Sequence, residues 1–200
     1  MKILVYAFDK FDKLNNNPSA EVGKVIFDIL NGKKGVEVKL EIFSVEYGFE
    51  KDLEKAITGF KPDFILGLGT AKRNKVSVEA IALNVIHELK PDEAGKVIID
   101  KKIDSGLDAI RTGFDCNVLV DYLKRKDIPV DLSYFAGTYI YNNAYFRCLK
   151  LVSDKALDAE TVFVHVPLSP KEVNLLGIDA PSFPPVLIGK ALAGFLESYK

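Results

Sequence analysis

The sequence predicts one domain over 1–200 of α/β class: three layers, α/β/α, around a twisted and mostly parallel central sheet. Short apolar runs alternate with amphipathic stretches of helical period along most of the chain. Glycine and proline sit at the junctions between them, and no repeat, low-complexity tract or linker breaks the rhythm. At 200 residues the chain is long enough for one sizeable core and short for two.

The elements follow in order. Lys2 to Ala7 is an apolar run that reads as a central strand. After a turn-rich loop, Asn17-Pro18 reads as an N-cap with proline at the first helical position. Val22, Val25, Ile26, Ile29 and Leu30 then share one face of a helix over 19–31, stopped at Gly32. Val36 to Val45 alternates as a half-covered strand. Gly48 to Phe60 is amphipathic, Lys61-Pro62-Asp63 breaks it, and Phe64 to Gly69 is a buried strand.

Residues 70–114 lose this rhythm. Thr70 to Asn74 is a basic polar loop, Val76 to Val85 alternates like one strand, Pro91 to Gly95 is a turn, and 97–99 returns as a short strand. Irregular chain beside strand ends is where a binding site is built. The βα rhythm resumes with a helix over 115–126, a strand over 130–135, a turn at Gly137, a helix over 142–152, a strand over 161–166 and a helix over 185–199.

Composition excludes several roles. Lys plus Arg number 27 against 28 for Asp plus Glu, a net charge of -1 that gives no reason to expect nucleic acid. The apolar runs fall short of the roughly 20 residues a membrane span needs. Cys116 and Cys148 lack CxxC spacing, so neither a metal site nor a disulfide framework is expected, and no cofactor is indicated. The N-terminal run lacks a signal-peptide cleavage pattern, and cytoplasmic is the expected location.

The chemistry-bearing residues are few. Ser133 to Phe146 runs from strand through Ala136-Gly137-Thr138 into a helix, the junction at which α/β proteins present a nucleophile. Neither Cys nor Ser stands where that side chain is expected; Tyr141 does. His165 ends an apolar strand just before Pro167, at the edge where doubly wound sheets bind ligands, and is the candidate base unless it is simply a packed histidine. His87 lies in a charged, surface-like segment. Glu79 sits in a mostly apolar stretch, where an acid is costly unless paired; it either orients another group or forms a rim salt bridge to Arg73. Phe8 and Phe11 either wall a small-ligand pocket or clamp their own loop.

Together these segments resemble the pyroglutamyl peptidase I, or pyrrolidone carboxyl peptidase, family of cysteine peptidases, over nearly the whole chain. Lys2 to Phe11 followed by Asn17-Pro18-Ser19 looks like the family's first strand, Phe-containing loop and Asn-Pro-Ser helix start. Gly67-Leu-Gly69 with Arg73, the Glu79 to Asn84 segment, Ser133 to Asn142, Phe163-Val-His165-Val-Pro167 and Pro181-Ser182 match further family motifs in order. That family removes N-terminal pyroglutamate from peptides with a Cys-His-Glu triad.

The resemblance implies Glu79 as the orienting acid, His165 as the base, and Tyr141 at the nucleophile position. It implies Phe8, Phe11, Asn17, Gly69, Arg73 and Asn142 around the substrate, a small pyrrolidone-like ligand or peptide N-terminus as the binding partner, and a homo-oligomer. Ala7, Lys10 and Asp12 depart from the family's loop, and Asn143 replaces the His after its Cys-Asn. A phenol has a reference pKa near ~10 and reaches several ångströms beyond a thiol, so it cannot inherit the attack geometry. Cys148, seven residues on, lies roughly 10 Å along a helix from that position. The leading expectation is a family member whose acyl-enzyme chemistry is impaired or lost. The alternatives are a hydrolase in which His165 and Glu79 activate water or Ser133 or Thr138 attacks, and a non-catalytic assembly or ligand-binding protein.

Overall fold

The computed structural model describes residues 1–10 and 17–199. The expected pocket residue Phe11 therefore lies outside the described residues, as does Asp12. Strand β1 (Lys2–Phe8) is buried from Ile3 onward, as a strand covered on both faces must be. Helix α1 (Pro18–Leu30) begins where Asn17 caps it, the Asn17 side chain accepting from the Ser19 amide at 3.1 Å with Pro18 in the first turn. Strand β2 (Glu37–Phe43), helix α2 (Glu50–Phe60) and strand β3 (Phe64–Thr70) follow. Lys61 ends α2 in a left-handed conformation, φ 51°.

The stretch read as one strand over 76–85 divides in two. Strand β4 (Val76–Glu79) belongs to the main sheet, and β5 (Ile81–Leu83) leaves it. Ala80 is the point of departure. Its amide still donates to Ser133 O, but its carbonyl accepts from the Thr112 amide, and β5 goes on to pair with β8 (Ala109–Arg111). Strands β6 (Ile86–Glu88) and β7 (Ile98–Lys101) form a second ribbon around the expected 91–95 turn. Then come α3 (Cys116–Lys124), β9 (Val130–Ser133), α4 (Ile140–Asp154), β10 (Glu160–Val166), α5 (Pro170–Leu176) and α6 (Pro185–Ser198). Helix α5 was not expected, although Ser169 and Glu172 spell its capping box and are hydrogen-bonded to each other.

The main sheet runs β2-β1-β3-β10-β4-β9, and every pairing is parallel except β10 with β4. Helices α1, α3 and α6 share one core with the sheet face carrying Ile3, Val5, Leu66 and Val164. Helices α2 and α4 share the other with Leu4, Tyr6, Ile65 and Phe163. This is the three-layer α/β/α arrangement the sequence predicts. No described helix is long and apolar enough to cross a membrane.

The second core is aromatic and needs two places on β3 to have no side chain. A Cβ built on Gly67 would lie 2.4 Å from both the Tyr6 and Phe163 rings, and one on Gly69 would lie 2.9 Å from Phe163 and Tyr141. Both distances are closer than any real contact, so these glycines serve close packing rather than backbone freedom. Gly67→Ala is therefore expected to destabilise the protein by ~3 kcal/mol, at the upper end of over-packing effects. Gly59→Ala, on the open side of α2 with nothing near its Cβ, is expected to stabilise by up to about 1 kcal/mol. Urea unfolding of the two variants beside the parent checks both signs.

Candidate active site

The sheet register assembles the site. Tyr6, Gly67, Phe163, Glu79 and Ser133 lie side by side across five strands, and Gly69, His165, Ser77 and Asp131 form an adjacent row two residues along. Both rows face the aromatic core because side chains alternate with period two. Glu79 and His165 are thus diagonal neighbours on the antiparallel β4–β10 pair, within reach of each other.

They meet. His165 Nδ1 lies 2.7 Å from Glu79 Oε1, with Glu79 fully buried and His165 3% exposed. A carboxylate acceptor at Nδ1 places the proton there and leaves Nε2 with a lone pair, the tautomer a general base requires. Arg73 Nη1 donates to the same Oε1 at 2.8 Å. The rim salt bridge and the orienting role for Glu79 are thus held together on one oxygen. Glu79 Oε2 is buried without a hydrogen-bond partner, next to Ser133 in the register. The Glu79 carbonyl accepts from Tyr145 Oη at 2.8 Å, so the residue is held at both its backbone and its side chain.

Burial pushes Glu79 up, but the hydrogen bond and charge of His165, the Ser133 hydroxyl and the Arg73 charge outweigh it, and the carboxyl is held below its ordinary range. For His165 burial wins. Loss of hydration, with a contribution from Arg73, lowers its pKa despite Glu79, so the ring is neutral at pH 7.

Tyr141 falls in the first turn of α4, which begins two residues earlier than the sequence suggests. Because β9 runs against the parallel strands, residues 134–139 must carry the chain back across the sheet before α4 begins. Gly137, at φ +85°, supplies the turn. The Tyr141 ring then lies over Gly69, 4.8 Å from Phe8, 6.4 Å from Phe163 and 5.7 Å from the His165 ring between centroids. Its hydroxyl points to Asn17, accepting from Nδ2 over a long 3.5 Å. Burial pushes this phenol above its ordinary pKa in spite of that hydrogen bond.

The other expected substrate contacts separate into two groups. Phe8 and Gly69 touch the Tyr141 ring, and Asn17 touches its hydroxyl while also accepting from Ser19 and Thr70 and donating to Asp9 O. Asn142 is fully buried. Its side chain accepts from Leu83 N and donates to Leu83 O and Val85 O, tying α4 to β5. Sequence reasoning missed an analogous buried amide, Asn84, which binds the backbone of Ile103, Asp104 and Leu107 and shapes the insert. His87 is half-exposed and paired with Asp100, while its main chain exchanges hydrogen bonds with Thr138.

Both thiols are buried, and neither is primed. Burial pushes Cys148 up to about 12 and Cys116 to about 11. Cys116 Sγ contacts the Glu79 carbonyl at 3.8 Å, on the backbone side of the acid. Among the described residues no group of three or more His, Cys, Asp or Glu side chains is placed to hold a metal ion. A cleft of about 470 Å³ opens beside the dyad, lined by Arg73, Ser77, Asp131, Ser133 and Pro181.

The buried pair makes a pH prediction. His165 is held below 6.5 in the folded state, so the unfolded chain binds more protons as pH falls through that value. Its contribution is complete above that pH and is lost on acidification; Glu79, held below 4.5, adds a second loss lower down. Urea unfolding free energy should therefore fall between pH 7 and 5, by no more than about 1.4 kcal/mol per pH unit for one proton. In His165→Gln the slope in that window should flatten.

Known proteins share this architecture. A family model described as pyroglutamyl peptidase matches residues 1–196. Pyrrolidone-carboxylate peptidase 2 of Caldanaerobacter subterraneus is 35% identical over 192 residues, covering 94% of this chain and 90% of its own length. A Saccharolobus islandicus pyrrolidone-carboxylate peptidase is 36% identical over 173 residues, covering 84% and 80%. Among solved structures, a mutant pyrrolidone carboxyl peptidase from Pyrococcus furiosus superposes with a TM-score of 0.91 at 29% identity, over 98% of this chain and 97% of that one. Pyroglutamyl peptidase I from Bacillus amyloliquefaciens gives 0.88 at 28%, over 96% and 93%. With motifs, register and whole-chain similarity in agreement, the chain belongs to the pyroglutamyl peptidase family.

Proposed function

We propose that this chain retains the pyroglutamyl-peptide site of its family while its acyl-enzyme chemistry is impaired or lost, with Tyr141 standing at the nucleophile position. The observation that carries this reading is the Tyr141 ring, lying between Phe8 and Gly69 beside His165. In the family's reaction the His would take the thiol proton, the thiolate would attack the pyroglutamyl carbonyl, and the peptide amine would leave. Free amides in the first turn of α4 would hold the oxyanion.

Here the attacking atom is replaced. The phenol is raised in pKa and its hydroxyl is aimed at Asn17, so it offers little phenolate to a carbonyl. Cys116 and Cys148 sit elsewhere, both buried and both raised. An oxyanion site and binding alone supply on the order of 10³–10⁴ over the uncatalysed rate in a related chemistry, which is the ceiling for residual turnover. A peptide N-terminus or a pyrrolidone-like small molecule is the matching ligand.

A second reading has its own support. The His165–Glu79 pair is intact, with a neutral imidazole that could deprotonate water rather than a thiol. It calls for movement of the Tyr141 ring to admit substrate.

Hydrolysis of a fluorogenic pyroglutamyl amide by the parent and by His165→Ala separates the readings. The first expects no turnover above the variant's background. Turnover that is insensitive to thiol reagents and vanishes in His165→Ala would establish the second. Tyr141→Cys is expected to create a reactive thiol and thiol-dependent cleavage of the same amide. A folded Tyr141→Cys protein that binds the amide without cleaving it would count against an otherwise intact site.

A further inference from the structure

The loop between β3 and β4 places one cation where three parts of the site converge. Arg73 Nη1 donates to Glu79 Oε1 at 2.8 Å and lies 3.3 Å from Ser133 Oγ, while Nη2 donates to Phe135 O at 2.9 Å. These contacts use both terminal nitrogens of a planar fork, which fixes the guanidinium more firmly than a single ammonium contact would. The family resemblance suggests Arg73 as a substrate contact, but its two terminal nitrogens are already committed to protein acceptors. Its side chain is only 28% exposed.

We infer that Arg73 is a positioning residue, which aims the Glu79 carboxylate at His165 Nδ1 and ties that acid to the chain leaving β9 toward the Gly137 turn. Glu79 has two ways to turn. Oε1 takes both Arg73 and His165, while Oε2 has the Ser133 hydroxyl near it but no settled hydrogen bond, so the carboxylate's orientation rests chiefly on the two partners of Oε1. With Arg73 gone, the neutral His165 ring would be the only hydrogen-bond partner left on Oε1, and the acid would be free to swing Oε2 into the vacated space or toward Ser133. The second anchor, Phe135 O, belongs to the segment that leads into α4. Through it the acid, the base and the helix start keep one spacing although they come from distant stretches of chain.

Charge acts in the same direction. The groups facing His165 are Glu79, Arg73 and the Tyr141 phenol ring, and Arg73 opposes protonation of the imidazole both directly and by neutralising Glu79. A guanidinium here keeps the buried dyad from collecting a proton it could not then accept from a substrate or water.

The inference builds on the reading of His165 and Glu79 as an acid–base pair, but its test needs no turnover. The chain has two histidines, so imidazole NMR titration resolves His165 against His87 as an internal control. In Arg73→Gln the His165 midpoint should rise by about half a pH unit or more, and the low-field Nδ1 proton held by Glu79 should shift, with His87 unchanged. An unmoved or lowered midpoint together with an unmoved Nδ1 proton would overturn the inference and leave Arg73 as a structural clamp. Should Arg73→Gln fail to fold, Arg73→Lys replaces it. Lysine keeps the charge but cannot hold Glu79 and Phe135 O together, so the Nδ1 proton should still move while the midpoint stays nearer the parent's. An unmoved Nδ1 proton in that variant would equally refute the role. Amide hydrolysis, present or absent, tests the proposed function and leaves this outcome unaffected.

Discussion

A carboxylate with no exposure to water, Glu79, governs the rest of the site. Burying an unpaired charge of this kind costs several kcal/mol, so the surroundings must supply compensation. The chain does so from four elements: the loop after β3 gives Arg73, β10 gives His165, β9 gives Ser133, and α4 gives Tyr145 at the carbonyl. The sheet register places His165 and Ser133, a helix packed upon the sheet places Tyr145, and the loop between β3 and β4 places Arg73. The histidine inherits its tautomer, and so its capacity as a base, from the same interaction.

The neighbouring aromatic core is the second constraint. Tyr6, Phe163 and Tyr141 occupy space that side chains on Gly67 and Gly69 would otherwise fill, and Phe8 packs against Tyr6 and Tyr141. A bulky ring at position 141 is therefore compatible with the packing as it stands, and the fold is indifferent to whether that side chain can attack a carbonyl.

Much of this was legible in the residues. The α1 cap at Asn17, the buried β3 run and the placement of His165 at a strand end all follow from local signals that tertiary packing reinforces. The Glu79–His165 contact was not legible, because it depends on β4 entering the sheet antiparallel beside β10, and no local pattern encodes that direction. The break at Ala80 escaped for the same reason: apolar alternation continues through it, and only the hand-over of hydrogen bonds from Ser133 to Thr112 marks the change of sheet. Helix α5 is a different case, since its capping box was present but the run behind it is only seven residues long.

Strand β10 lies between β3 and β4, although it is the last strand in the chain and the other two are close in sequence. Until it is in place, β3 and β4 share no neighbour, and His165 must find Glu79 across 86 residues. Such long-range closure makes folding slow, because the loop entropy is lost before the central contacts form. On a ribosome the first four-fifths of the polypeptide would wait with an open sheet edge on β3. The His165–Glu79 pair and the middle of the core are then completed by one late event, so a folded chain with that pair disassembled is not an intermediate this topology can easily populate.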